Sequence, residues 1–499
     1  MKAIRTTLSA APAVRSQIRR SNHPRILSAR QYAITHNAPS LKDKSLLKNQ
    51  AYVNGKWVAA KSGQTFEVTD PATHEVIGTM PEMAKDDIDS AITAAHNALP
   101  SFRKTTGRER ARMLRKWYDL MTENADDLAK IVTWENGKPL ADAKGETSYA
   151  AGFFEWFAEE APRVYGQTIP ASIAGNRVYT IREPVGVCGL ITPWNFPLAM
   201  ITRKVGPALA AGCTVVIKSP GETPFSAAAL AELSERAGIP PGVVNVVTCL
   251  KNTPEVGEAI TTSEIVRKVS FTGSTNVGKL LMKQSSATLK KLSFELGGNA
   301  PLIIFDDADL ETAVAGAIAS KFRSSGQTCV CANRIYVQKG IYDEFAKAFT
   351  DKVNNFKVGS GFADGVTHGP LIHDRAISKV QAHVDDAVKH GAGTGRDFGP
   401  VAGLFPFETE AEVVELANAA EVGLAGYFFS KDVQRCYRIA EALQVGMVGV
   451  NTGLISDPAA PFGGVKHSGF GREGSSHGID EYTTIKMVTL GGMGKDLQE

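Results

Sequence analysis

Between positions 185 and 296 the chain alternates short apolar runs with stretches of helical spacing, and nothing else in it narrows the fold as much. Runs at 185–191, 213–218, 243–247, 266–271 and 291–294 read as strands. Stretches at 198–211, 224–237, 255–261 and 277–286 read as the helices between them. Strand and helix alternating at this interval specify an α/β fold with a parallel sheet and crossover helices. Open sheets of that kind take ligands beyond the carboxyl ends of their strands. Lys218 ends one run, Gly273 and Ser274 follow another, and Glu295 follows a third. The alternation restarts at Ala300, with strands expected at 302–305, 334–337 and 445–450. Helices are expected at 310–322, 341–355, 374–390, 410–420 and 432–444. Upstream, three- and four-residue spacing of apolar side chains reads as helices across 88–132.

The 499 residues suffice for two or three domains with sizeable cores. No apolar run is long enough to span a membrane. Six scattered cysteines suit a reducing compartment better than a disulfide framework. The formal charge of +3 comes from the leading segment, because residues 1–32 hold seven of the 55 basic residues and no acid. The remainder is mildly acidic, which argues against a nucleic-acid partner. The acid-free, Arg- and Ser-rich lead reads as a mitochondrial transit peptide cut after Tyr32, with a disordered basic tail as the alternative. The expected location is the mitochondrial matrix, or the cytoplasm if the lead does not target.

Two short motifs carry chemistry. Cys329 lies in Ser324-Ser325-Gly326-Gln327-Thr328-Cys329, and Glu295 in Phe294-Glu295-Leu296-Gly297-Gly298. A thiolate attacks a carbonyl carbon well, and a carboxylate can then deliver the water that releases the acyl group. A free cysteine is more often a small buried hydrophobe, but the polar, Gly-bearing loop argues for reaction. No metal site is expected.

These motifs resemble the active-site signatures of the aldehyde dehydrogenase superfamily. Thr192-Pro193-Trp194-Asn195-Phe196-Pro197, Phe271-Thr272-Gly273-Ser274 and Pro461-Phe462-Gly463-Gly464-Val465-Lys466 extend the likeness, in family order, over nearly the whole chain after residue 50. The resemblance implies a Rossmann-type cofactor domain (43–165 and 186–297) and an α/β catalytic domain (298–475). It also implies a small β oligomerisation element (166–185 and 476–499) through which homodimers or homotetramers form, and a lead of 1–42. It implies that Cys329 forms a thiohemiacetal and then a thioester, that Asn195 and a backbone N–H hold the oxyanion, that Glu295 activates water, and that Lys204 serves the proton network. NAD or NADP is the implied cofactor. Lys218, Gly273, Ser274, Gly278, Trp194, Glu222 and Phe398 are its expected contacts. Gly221 stands where NAD-preferring relatives often place a carboxylate, so use of both cofactors is expected.

Arg203, Arg323 and Ser456 match the carboxylate-binding residues of the family's succinate-semialdehyde branch. A guanidinium fork holds a carboxylate bidentately, so a four-carbon semialdehyde fits, with the five-carbon one or a general aldehyde as alternatives. The pathway implied is 4-aminobutyrate degradation. Cys331 matches a neighbouring cysteine that can form a reversible disulfide with the nucleophile; an inert loop thiol is the alternative. One stretch departs from the family. Relatives carry a few dozen more residues between Gly393 and Phe398, including catalytic-domain strands and a glutamate that meets the nicotinamide ribose, at the position of Arg396. Impaired hydride transfer is therefore expected, and a chain that only binds ligand or joins an oligomer stays open.

Overall fold

The computed structural model describes residues 38–390 and 400–493. The transit-peptide reading, Arg396, Phe398 and the shortened stretch around them lie outside the described residues.

An eight-stranded sheet runs in the order Gly469–Phe470, Lys291–Glu295, Val266–Thr272, Val187–Ile191, Thr214–Lys218, Val244–Val247, Ala51–Val53, Lys56–Val58. Its five inner strands from Lys291–Glu295 to Val244–Val247 are parallel. Val187–Ile191 and Thr214–Lys218 are buried at every position, as expected of strands covered on both faces. From Val187–Ile191 the chain builds outward through Thr214–Lys218 and Val244–Val247, then returns to pair on the other side of Val187–Ile191 with Val266–Thr272. The order reverses there, and the carboxyl ends on either side form a crevice. The register keeps those ends level: Ile191 lies opposite both Lys218 and Phe271, and Thr272 lies opposite Glu295.

A second sheet of five parallel strands runs Gly403–Phe407, Ala332–Gln338, Ala300–Ile304, Ala425–Phe429, Met447–Val450. Alternate side chains enter separate cores, with Leu302 and Ile304 on one face and Ile303 on the other, the period-two geometry of a strand. Arg177–Pro184 pairs along its length with Thr483–Leu490 and briefly with Thr168–Ile169. Ile485 and Met487 of this small sheet are each 66% exposed.

Most expected elements fall within a few residues of those observed. The differences have physical causes. The Gly-rich stretch 461–474, read as a loop, lays Gly469–Phe470 against Lys291–Glu295 and so extends the first sheet. Tyr482, within the segment assigned to the oligomerisation element, is buried, with the Lys268 ammonium 5.0 Å from its ring centre. The short strands between Ala51 and Pro81 and the helix Leu140–Glu160 went unread. That helix is rich in small and aromatic residues, and its buried side includes Phe153, Phe154 and Phe157.

Candidate active site

A cavity of about 490 Å³ opens where the carboxyl ends of the first sheet face the second. Trp194, Asn195, Gly273, Ser274, Glu295, Thr328 and Cys329 line it, joined by Lys379 from the helix Asp374–His390.

The Cys329 loop is held in an unusual backbone. Ser324, Ser325 and Gly326 take φ of 51°, 55° and 76° in succession, the left-handed region that non-glycine residues seldom enter. Side-chain anchors hold this shape. Ser325 Oγ donates to the Gly369 carbonyl at 2.8 Å, and Gln327 Oε1 accepts from the Ile372 N–H at 3.0 Å. Gly298 lets the loop come close, since a Cβ there would sit 2.3 Å from the Cys329 carbonyl oxygen. Burial pushes the Cys329 thiol up to about 12, with Arg203 pulling it down and Glu295 pushing it further up. The thiol therefore needs help to ionise. Cys331 is buried, and its Sγ donates to the Gly326 carbonyl at 3.3 Å.

Asn195 follows Val187–Ile191 in the crevice. Its Nδ2 donates to the Gln327 carbonyl at 2.9 Å. One amide hydrogen is used there, which fixes the amide's orientation and leaves the other hydrogen free. Fixed donors of this kind stabilise charge that develops at a carbonyl oxygen.

Behind the thiol and Asn195 lies a buried charge cluster. The helix Ala199–Ala211 is buried at every residue and carries Arg203 and Lys204. Arg203 Nε and Lys204 Nζ each donate to Glu473, and Lys204 also donates to Ser270 Oγ at 3.1 Å. Arg203 Nη2 is buried without a hydrogen-bond partner, and its guanidinium stacks 4.2 Å from the Phe462 ring centre. Burial first, and then the Glu473 charge, hold the Glu295 carboxyl well above the ordinary carboxylate range, while Arg203 and Lys204 oppose the rise. Burial also works to raise Glu473, but Arg203 and Lys204 outweigh it and keep Glu473 low. Two neighbouring buried carboxylates thus have separated proton affinities, the pattern that divides acid and base duties.

Arg323 and Ser456 line a second, narrower cavity that shares Thr328 with the first. The Arg323 guanidinium lies 5.0 Å from the Phe196 ring centre and makes no ion pair among the described residues. Tyr149 lies beside Ser456 and within electrostatic reach of both Arg203 and Arg323.

On the cofactor side, Ser274 caps the helix Thr275–Ser285 by accepting from the Val277 N–H. Its unpaired N–H groups suit pyrophosphate. Gly278 is buried one turn on. Lys218 is buried at the end of its strand with no ion-pair partner among the described residues, a positive charge suited to an anionic ligand. A Cβ at Gly221 would sit 2.6 Å from Leu250 and 3.0 Å from the Cys249 carbonyl oxygen. A side chain at that position would have to displace Leu250, and neighbouring Glu222 is the nearer candidate for a ribose contact. The groups present therefore fit a dinucleotide.

The structure brings Trp194, Asn195, Gly273, Ser274, Glu295 and Cys329 to one cavity, with Arg203 and Lys204 behind it and Arg323 and Ser456 beside it. Sequence reading missed Glu473, Tyr149 and Lys379. Glu473 follows Arg472 in an otherwise Gly-rich stretch, and nothing local marks it. Only the fold sets it against Arg203.

The chain was compared with known proteins. The model of the aldehyde dehydrogenase family matches residues 57–395 and 397–488. Succinate-semialdehyde dehydrogenase [NADP(+)] 1 of Schizosaccharomyces pombe is 56% identical over 483 residues, covering 90% of this chain and 97% of the relative. Glutarate-semialdehyde dehydrogenase of Pseudomonas putida is 53% identical over 478 residues, covering 90% and 99%. Since 90% of 499 residues is about 450, about thirty of those 478 aligned positions hold no residue of this chain. The crystal structure of succinate-semialdehyde dehydrogenase from Burkholderia pseudomallei superimposes with a TM-score of 0.89 at 53% identity, covering 91% of this chain and all of the other.

Proposed function

The chain belongs to the aldehyde dehydrogenase family, and we propose that within it the protein oxidises a short aldehyde with a carboxylate at its far end, succinate semialdehyde being the best fit, with NAD or NADP. The observation that carries this reading is the pair of cations beside the thiol, Arg203 buried and Arg323 half-buried. Among the described residues Arg203 Nη2 has no hydrogen-bond partner and Arg323 pairs with no carboxylate. A buried substrate carboxylate would answer both. The Pseudomonas putida relative, named for a five-carbon semialdehyde, keeps that longer substrate in play.

In this reading Glu295 takes the Cys329 thiol proton and releases it to solvent through the cavity, Sγ bonds to the aldehyde carbon, and the carbonyl oxygen takes up negative charge against the second amide hydrogen of Asn195. Lys218, Ser274 and the helix N-terminus would hold an oxidised dinucleotide, which when bound would supply the hydride acceptor. Cys329 then carries an acyl group. Glu295 takes a proton from water as the water oxygen attacks that carbon, and the C–S bond breaks to give the carboxylic acid and the thiol. Glu473, kept ionised by Arg203 and Lys204, holds its proton affinity below that of Glu295, so Glu295 is the base of the pair.

Arg323→Ala tests the substrate. We expect KM for succinate semialdehyde to rise by about 30- to 100-fold, the loss of a charge-assisted hydrogen bond of about 2–3 kcal/mol, with KM for an uncharged aldehyde nearly unchanged. Equal effects on both would remove the carboxylate from the argument.

A second reading rests on the break at Arg396, where the family match divides. Acyl chemistry at Cys329 is intact in this reading, but the cofactor is held weakly. Cofactor titration of the purified chain decides: NADP and NAD affinities equal to those of a full-length relative would dispose of it. We also propose that residues 1–32 direct the chain to the mitochondrial matrix, where it would serve 4-aminobutyrate degradation, and that the exposed face bearing Ile485 and Met487 joins copies of the chain. Cytosolic retention of a tagged chain, or a monomer by sedimentation, would refute the respective statement.

A further inference from the structure

Two segments that carry reacting groups, the loop through Trp194 and Asn195 and the loop through Cys329, both lean on a third. Residues 136–140 hold no group that reaches the cavity, yet they sit between these loops. Lys138 is 3% exposed and Glu146 is wholly buried. Lys138 Nζ donates to Glu146 Oε2 at 2.5 Å and to the Asn195 carbonyl at 2.7 Å, while Asn136 Nδ2 donates to the Trp194 carbonyl at 3.0 Å. Glu146 Oε1 accepts from the Leu198 N–H at 2.9 Å and the Ala199 N–H at 3.4 Å. The helix bearing Arg203 and Lys204 begins there, and its own N-cap, Leu198, offers no capping side chain. Glu146 therefore supplies the acceptor that the helix start lacks.

The other side of the segment meets the supports of the nucleophile. Leu140 N–H donates to the Gly361 carbonyl at 3.0 Å. Gly369, whose carbonyl holds Ser325, packs so tightly on the segment that a Cβ there would lie 2.1 Å from the Gly137 carbonyl oxygen. The Asn195 amide in turn touches the Gln327 carbonyl, two residues before the thiol. Apart from the Lys138–Glu146 ion pair, these hydrogen bonds and close approaches each end on backbone, so a small displacement at Lys138 moves Asn195 relative to Cys329.

We propose that Lys138 and Glu146 are a positioning pair for the acyl chemistry: by gripping the Asn195 carbonyl and the start of the Ala199–Ala211 helix, they set the Asn195 amide against the oxygen that becomes an oxyanion on Cys329. The assignment rests on the thiol reading of the site given above. A buried ion pair is a poor source of stability but a good way to fix two backbones at once.

The test is a double-mutant cycle read through transfer of the acetyl group of 4-nitrophenyl acetate to Cys329, followed as a burst of nitrophenolate; it needs no dinucleotide. Lys138→Met should slow the burst about 10- to 100-fold, the scale of a misplaced oxyanion donor. Alkylation of Cys329 by iodoacetamide develops no oxyanion and should change by less than about twofold. In an Asn195→Ala background, Lys138→Met should slow the burst by less than about twofold, because its route of action is already gone. The pair Lys138→Met with Glu146→Gln removes both charges at nearly constant volume and is run through the same cycle, which keeps the test open if the single variant does not fold. Equal fold losses in both backgrounds, a parallel loss of alkylation, or an undiminished burst would each overturn the assignment. A wild-type chain that alkylates but shows no burst would instead overturn the thiol reading on which it rests.

Discussion

Two buried charge clusters flank the reacting groups, and they differ in their arithmetic. Lys138 and Glu146 are matched one to one, and the Glu146 carboxylate is saturated by an ammonium and two backbone N–H groups. Arg203, Lys204 and Glu473 set two cations against one carboxylate, and one guanidinium nitrogen is left over. A balanced cluster has nothing to offer a ligand and can only fix positions. An unbalanced one is costly to bury unless a ligand or a neighbouring acid completes it. Glu295, half in and half out of that balance, is the group whose proton affinity moves.

Glu473→Gln breaks the comparison most severely. It leaves Arg203 and Lys204 buried without their carboxylate and should cost about 3–5 kcal/mol, measured by denaturant unfolding at neutral pH. The sign can be checked with acid. Glu473 has a lowered proton affinity in the fold, so its contribution is present above the unfolded carboxylate's range and lost as pH falls through the folded value. Wild type should therefore lose more stability than Glu473→Gln on acidification, and equal losses would contradict the ion-pair account.

The next effect is kinetic. With the thiol pushed up to about 12, iodoacetamide alkylation of Cys329 should rise about tenfold per pH unit through the neutral and mildly alkaline range. Glu295→Gln removes a charge that opposes the thiolate, so alkylation should quicken, whereas Arg203→Ala should slow it. The thiol's proton affinity is higher folded than unfolded, so the stability it contributes is present at neutral pH. That stability fades as pH climbs from the ordinary thiol value of 9.0 towards about 12. A plateau in alkylation near pH 8 would show a thiol already ionised.

The smallest change refines the unbalanced cluster. Tyr149→Phe removes a hydroxyl beside Ser456 and should weaken binding of the semialdehyde by about 1 kcal/mol, seen as a severalfold rise in KM with kcat nearly constant. No change would place Tyr149 outside the carboxylate's reach.

The parallel sheet was most legible at Val187–Ile191, Thr214–Lys218 and Val244–Val247, which are buried at every position and read as largely apolar runs. The helix Leu310–Phe322 was read to the residue, since Asp309 caps it by accepting from Thr312 N–H. Gly469–Phe470 was not legible, because two residues carry no periodicity and their pairing with Lys291–Glu295 comes from a distant part of the chain. At the site, the motif residues declared themselves by type and spacing. Glu473 and Lys138 did not, because a lone carboxylate or ammonium looks like a solvated charge until its partners are known.

By itself the sequence determined the α/β class, the thiol and carboxylate that line the crevice, and the acid-free lead, since each is set by local composition or by short-range spacing. Only the tertiary structure decided which charges balance. It joined Arg203 to Glu473 across 270 positions and Lys138 to Asn195 across 57. Electrostatic pairing depends on distance in space and on exclusion of water, and neither quantity is written along a chain.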